Sequence, residues 1–161
     1  MQTVTVKQFF TTNTILFVAF LVGQIVFGGV SFFINSNNPL AYNMEELYLK
    51  FAIFAIIWGL GARTILIKAF AKKINHATNL EDKLKAFRSS FLVRCAVQEG
   101  ANLFVIVTFF LTNNGYCLAL AAIGIILFLI NIPSKEKLIK ELNLDYKEQE
   151  IINQGENVLN L

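Results

Sequence analysis

Four apolar runs, at positions 13–34, 51–70, 91–112 and 116–132, alternate with two long polar stretches and one short polar turn. A hydrocarbon core of about 30 Å takes roughly 20 helical residues, so each run predicts a membrane-crossing helix, the last at the short end of what can span. Residues 1–12 are too polar to span; they predict either an interfacial segment or an extension of the first helix. The stretch 35–50, NSNNPLAYNMEELYLK, is a turn-rich loop in which Pro39 breaks the chain and Asn43 is placed to cap a helix ahead of Glu45 and Glu46. In the stretch 71–90, Asn79 followed by Glu81 and Asp82 predicts a helix start, with Leu80, Leu84 and Phe87 on one side of an amphipathic helix laid on the headgroups. His76 reads as a solvated loop residue. Asn113-Asn114-Gly115 leaves room only for a tight antiparallel connection. After Pro133, Ser134 opens a short charged helix, and Asp145 with Glu148 three residues later predicts a second, ending before Gly155. The expected fold is all-α: an antiparallel four-helix membrane bundle over residues 1–133, with a cytoplasmic helical tail over 134–161.

The third run breaks its own pattern. FLVRCAVQEGANLFVIVTFFLT carries Arg94, Cys95, Gln98, Glu99 and Asn102 inside an otherwise apolar span. At about 100° per residue these lie near 0°, 100°, 40°, 140° and 80°, so all five share one arc. Val97, Gly100, Leu103, Phe104, Val107 and Leu111 fall on the opposite arc, toward lipid or a neighbouring helix. Glu99 follows Ser90 by nine residues, about 13 Å, which puts a carboxylate near mid-membrane, where such a group by default marks a functional site. In the second run Ala52, Ala55, Gly59, Ala62 and Arg63 share an arc of about 100°, a groove of small residues with one guanidinium at its lower end; Trp58 lies outside it. Across that groove Arg63 is expected to meet Glu99, with Arg94 reaching the cytoplasmic headgroups or sharing the carboxylate. In the first run Asn13, Gln24, Gly28 and Ser31 fall on one face, and Ala19 and Gly23 form a small-xxx-small pair on another. Gln24 is expected to hydrogen-bond across a helix interface. Cys117, Ala121, Gly124 and Phe128 line a packing stripe in the fourth run.

Composition agrees with the pattern: 55% of residues are hydrophobic and the mean hydropathy is +0.57, values of membrane rather than soluble chains. A net charge of +3, from 14 basic against 11 acidic residues, would suit a nucleic-acid partner, but its placement speaks against one. Lys7, the positives of the middle stretch (Lys68, Lys72, Lys73, Lys83, Lys85 and Arg88) and the tail's Lys135, Lys137, Lys140 and Lys147 belong to one side, whereas the other side has Lys50 alone. The positive-inside rule then places both termini and the middle connection in the cytoplasm, at the inner (plasma) membrane. The first apolar run is too long for a signal-peptide core and no A-x-A-like site follows it. Cys95 and Cys117 are expected toward opposite membrane faces, unsuited to a disulfide. With one His and no Cys/His cluster, neither a metal nor another cofactor is expected. No CxxC, GxGxxG, P-loop, GxSxG or HExxH occurs, and no enzymatic chemistry is expected.

The segment from Arg94 to Phe104, Arg-Cys-Ala-Val-Gln-Glu-Gly-Ala-Asn-Leu-Phe, contains R-x-A-x-x-E-G. It is followed by Thr112-Asn113-Asn114-Gly115, by Ile132-Pro133-Ser134 and by a charged helix with Leu142 and Leu144, and Gly23-Gln24 precedes it in the first run. In these features the chain resembles a loose set of small, uncharacterised four-span bacterial inner-membrane proteins. That resemblance implies the architecture and no activity. Two functions compete. One is a non-catalytic membrane subunit in which Glu99, Arg63, Arg94, Gln98, Asn102 and Gln24 form a polar core fixing helix register, with Gly59, Ala55, Ala62, Gly23 and Gly124 as packing positions. Its partners would be the lipid bilayer and a membrane protein or a second copy. The other is a small proton- or cation-coupled transporter or channel using Glu99.

Overall fold

Helix formers run almost unbroken through the apolar segments, so the helices outlast the runs that predict them. The computed structural model describes residues 3–75, 77, 79–154 and 158–160. The elements are β1 (Thr3–Thr5), α1 (Val6–Asn35), α2 (Leu47–Asn75), α3 (Leu80–Thr112), α4 (Gly115–Leu129), α5 (Lys135–Leu142), α6 (Tyr146–Gln154) and β2 (Val158–Asn160). Among the described residues three helices are long and apolar enough to cross a membrane: Val6–Asn35, Leu47–Ala71 and Leu80–Thr112. The fourth apolar helix, α4, has 15 residues, about 22 Å at 1.5 Å per residue. It ends at Leu129, short of the expected Ile132, with Ile130 as its C-cap.

Residues 6–12 extend α1, one of the two outcomes expected for the start of the chain. Two expectations change. The stretch expected to lie on the headgroups is instead the opening of α3: no Gly or Pro interrupts Leu80 to Glu99, and the 33-residue helix runs straight into the apolar span. Finally, β1 and β2 pair antiparallel, Thr3 with Asn160 and Thr5 with Val158, a small exception to the all-α reading. His76 and Gly155 lie outside the described residues.

The chain divides into two compact units, and α1, α2 and α3 contribute to both. The first comprises residues 1–17, 65–94 and 132–161, the second 18–64 and 95–131. In the first, α1 packs on the start of α3 through Phe9 against Phe87 and Phe17 against Phe91, while Phe87 and Phe91 stack at 6.2 Å. Leu84, Leu138 and Ile152 are fully buried in it. Ser134 caps α5 by accepting from the Lys137 N–H. The predicted Asp145–Glu148 capping box is formed: Glu148 N–H donates to Asp145 Oδ1 at 2.8 Å and Asp145 N–H to Glu148 Oε2 at 3.0 Å.

The core of the second unit gathers Leu49, Ala52, Val105, Ile106, Phe109, Cys117 and Ala121. One end of this unit is knitted by asparagines. Asn113 adopts a left-handed φ of 51°, which Asn tolerates better than most residues, and its Nδ2 donates to Pro39 O at 2.9 Å. Asn114, fully buried, caps α4 through Tyr116 N–H and donates to Asn43 O and Glu46 Oε2. Across this junction the Ala41 N–H donates to Asn113 O and the Gly115 N–H donates to Ala41 O, and a Cβ at Gly115 would press into the Tyr42 ring. Cys95 and Cys117 are buried and are in no disulfide among the described residues.

Candidate functional site

The polar arc of α3 is the side that the protein buries. Arg94, Gln98 and Asn102 are buried and Glu99 is half-buried, whereas Gly100, Phe104, Val107 and Leu111 on the other arc are exposed. The reason is solvation: in hydrocarbon a polar side chain without an internal partner costs several kcal/mol, so amides turn toward other amides.

Asn102 is the centre of the second unit's polar core. Its Nδ2 donates to Gln24 Oε1 at 2.8 Å, and Gln24 in turn donates from Nε2 to Phe20 O at 3.3 Å. Both amides are 0% exposed, so α1 and α3 are joined by a dry hydrogen bond. Asn102 Oδ1 has no hydrogen-bond partner among the described residues and lies against the α-carbon of Gly124, where a Cβ would fall directly on it. Gly124 therefore exists in this position as room for an amide, and its Cα–H is the neighbour that the oxygen meets. A turn below, Gln98 Oε1 accepts from Asn131 Nδ2 at 2.7 Å, and Asn131 also donates to Leu127 O at 3.0 Å. Gly59 brings α2 close to α3: a Cβ there would sit 2.8 Å from the Ala101 Cβ. The space left among Gly59, Gln98, Ala101, Asn102 and Gly124 is about 10 Å³, at the lower bound for a single water molecule.

Glu99 stands apart from this network. It is in no ion pair within 4.0 Å and no hydrogen bond among the described residues, so the expected Arg63–Glu99 pair is not formed. On α1 it lies by Gly23, where an added Cβ would stand 3.5 Å from Glu99 Oε1. Arg63 is half-buried on α2, as are Ala55 and Ala62, while Trp58 is 65% exposed.

Arg94 belongs to the first unit and has found a different carboxylate. Its Nη2 lies 2.8 Å from Glu141 Oε1 and its Nη1 donates to Glu141 Oε2 at 3.2 Å, a two-pronged pair, while Nε donates to Ser90 O. Arg94 therefore does not share Glu99; its guanidinium is held by the α5 carboxylate. Eleven residues earlier, three turns back on nearly the same face, Lys83 is 2.7 Å and 2.8 Å from the two oxygens of Glu148. Glu148 thus caps α6 and holds it to α3 at once. Asn13 is also buried in this unit, with neither amide atom partnered among the described residues.

Sequence reasoning finds the α3 arc, Gln24 and Gly124, because helical spacing alone puts them on inward faces. It misses Asn131, Glu141 and Asn114. A polar residue in the last turn of the fourth run was the available signal for Asn131. Glu141 carried no local signal, since its partner is 47 residues away.

No family model, curated protein or solved structure matches the chain. Among the described residues no group of three or more His, Cys, Asp or Glu side chains is placed to hold a metal ion.

Proposed function

We propose that this chain is a non-catalytic membrane subunit: a four-span protein of the inner membrane whose polar core fixes helix register and whose outer faces meet a protein partner. The observation that carries this reading is the closure of the core. Asn102 Nδ2 and Gln24 Oε1 are hydrogen-bonded to each other at 0% exposure, and the space beside Asn102 is about 10 Å³. A solute pathway needs a wet cavity at that depth, and the gap beside Asn102 is only water-sized. Interhelical amide bonds of this kind act as glue between membrane helices. The three long apolar helices support membrane residence, and the basic residues of the middle stretch and tail support both termini in the cytoplasm. On this reading α4 completes the fourth crossing with the turn after Leu129.

The test has two arms. Purification of the full chain from its native membrane in mild detergent should yield a stoichiometric complex with a second membrane protein. The isolated chain in proteoliposomes should leave an imposed pH or cation gradient intact. Dissipation of that gradient by the isolated chain, abolished by Glu99→Gln, would replace the subunit reading with the transporter reading.

A further inference from the structure

We infer that Glu99 is the docking point for a transmembrane helix of a partner protein that brings a basic side chain to its level. The inference rests on the subunit reading and names the chemistry of the contact. Glu99 lies thirteen residues before the Thr112 end of α3, about 20 Å at 1.5 Å per residue, which is deep inside a hydrocarbon core of about 30 Å. A carboxylate there is costly unless something answers it. The chain answers its other inward-held charges internally, Arg94 with Glu141 and Lys83 with Glu148. Glu99 has no such answer among the described residues, Arg63 included. The buried amides beside it in sequence are committed elsewhere, Gln98 to Asn131 and Asn102 to Gln24.

The surroundings leave a helix room to approach. Glu99 is half-buried rather than enclosed, and the residues around it on the two helices, Ala19 and Gly23 on α1 and Ala96 and Gly100 on α3, are exposed. Nothing lies within 4 Å of where a Gly100 Cβ would stand. A backbone can therefore come close, and the charge it must carry is set by complementarity: a Lys or Arg answers a carboxylate, whereas an apolar helix leaves it bare. Arg is the better fit, because its fork matches both carboxylate oxygens.

A defined probe tests this with the full-length protein in phosphatidylcholine vesicles. A poly-Leu/Ala transmembrane peptide with one central Arg, and the same peptide with Leu at that position, are titrated against the labelled protein by energy transfer. The Arg peptide should bind the wild type about tenfold tighter than the Leu peptide, the scale of one interhelical polar contact. Glu99→Gln should remove that preference while leaving thermal stability unchanged, and Gly23→Leu should weaken binding of the Arg peptide with the carboxylate intact. Equal binding of the two peptides to the wild type overturns the inference, as does a preference that survives Glu99→Gln. Energy transfer between two differently labelled copies without peptide, lost in Glu99→Gln, would make the occupant a second copy and overturn it too. A native complex that persists unchanged in Glu99→Gln would leave the subunit reading standing while removing Glu99 as its contact.

Discussion

At the scale of single residues, the second unit turns on one amide and the glycine opposite it. Asn102 spans two helices, its nitrogen on Gln24 and its oxygen against the α-carbon of Gly124. The helical spacing of Cys117, Ala121, Gly124 and Phe128 shows that Gly124 packs, but not that it makes space for a side chain from another helix. That pairing is decided by which turns of α3 and α4 meet, which no local pattern encodes. Gly124→Ala should therefore be costly despite being the smallest possible change, because the new methyl must displace the Asn102 oxygen and loosen its bond to Gln24. The loss should include the roughly 0.6–1.7 kcal/mol of an interhelical hydrogen bond in a membrane plus the strain of a close helix contact. Asn102→Ala should cost a similar amount by leaving Gln24 buried with its oxygen unpaired. Adding Gly124→Ala to Asn102→Ala should then cost little more, since the obstructing oxygen is gone. Thermal denaturation in detergent of the two single variants and the double variant checks this. Additive losses would mean that the two positions do not meet.

At the scale of elements, the instructive case is α3. Its apolar and amphipathic halves look like two helices because hydrophobicity changes character near Ser89 and Ser90, yet nothing in the backbone chemistry stops the helix there. The capping signals at Ser134 and Asp145 were legible because caps are local, fixed by residues three apart. The ion pairs that dock the tail were not, since Arg94–Glu141 and Lys83–Glu148 join positions 47 and 65 apart. These pairs are largely sheltered, with side-chain exposures of 10% and 23% for Arg94 and Glu141. Breaking such a pair from one side leaves a nearly buried charge, which costs about 3–5 kcal/mol. Glu141→Gln should thus lower the melting temperature and open the tail to limited proteolysis after Lys135, Lys137 or Lys140. Glu136→Gln, an exposed residue on the same helix, should change neither. Charge screening reaches a sheltered pair weakly, so moderate salt should reproduce little of the Glu141→Gln effect. Release of the tail by salt alone would show that the pair is wetter than its burial indicates.

At the scale of the whole molecule, the distribution of charge predicts a topology that single-cysteine accessibility can test. The middle stretch and the tail carry ten of the chain's basic residues by position: Lys68, Lys72, Lys73, Lys83, Lys85, Arg88, Lys135, Lys137, Lys140 and Lys147. The loop between α1 and α2 carries Glu45 and Glu46 beside Lys50, and it is tied to the turn between α3 and α4 through Asn113 and Asn114. On the proposed four-span reading those two connections share one side of the membrane, so that α1 and α3 would cross in the same sense and α2 and α4 in the other. The tilted ring contacts of Phe9 with Phe87 and Phe17 with Phe91, in order along both helices, agree with α1 and α3 running the same way in the first unit. In a background lacking Cys95 and Cys117, an impermeant thiol reagent added from outside intact cells should label a cysteine at Asn37 and spare one at Asn79. Both positions are exposed, so access rather than burial decides the outcome. Permeabilising the cells should expose Asn79 as well. Labelling of position 79 but not 37 from outside would invert the chain and carry the tail, with its Arg94–Glu141 and Lys83–Glu148 pairs, to the opposite face.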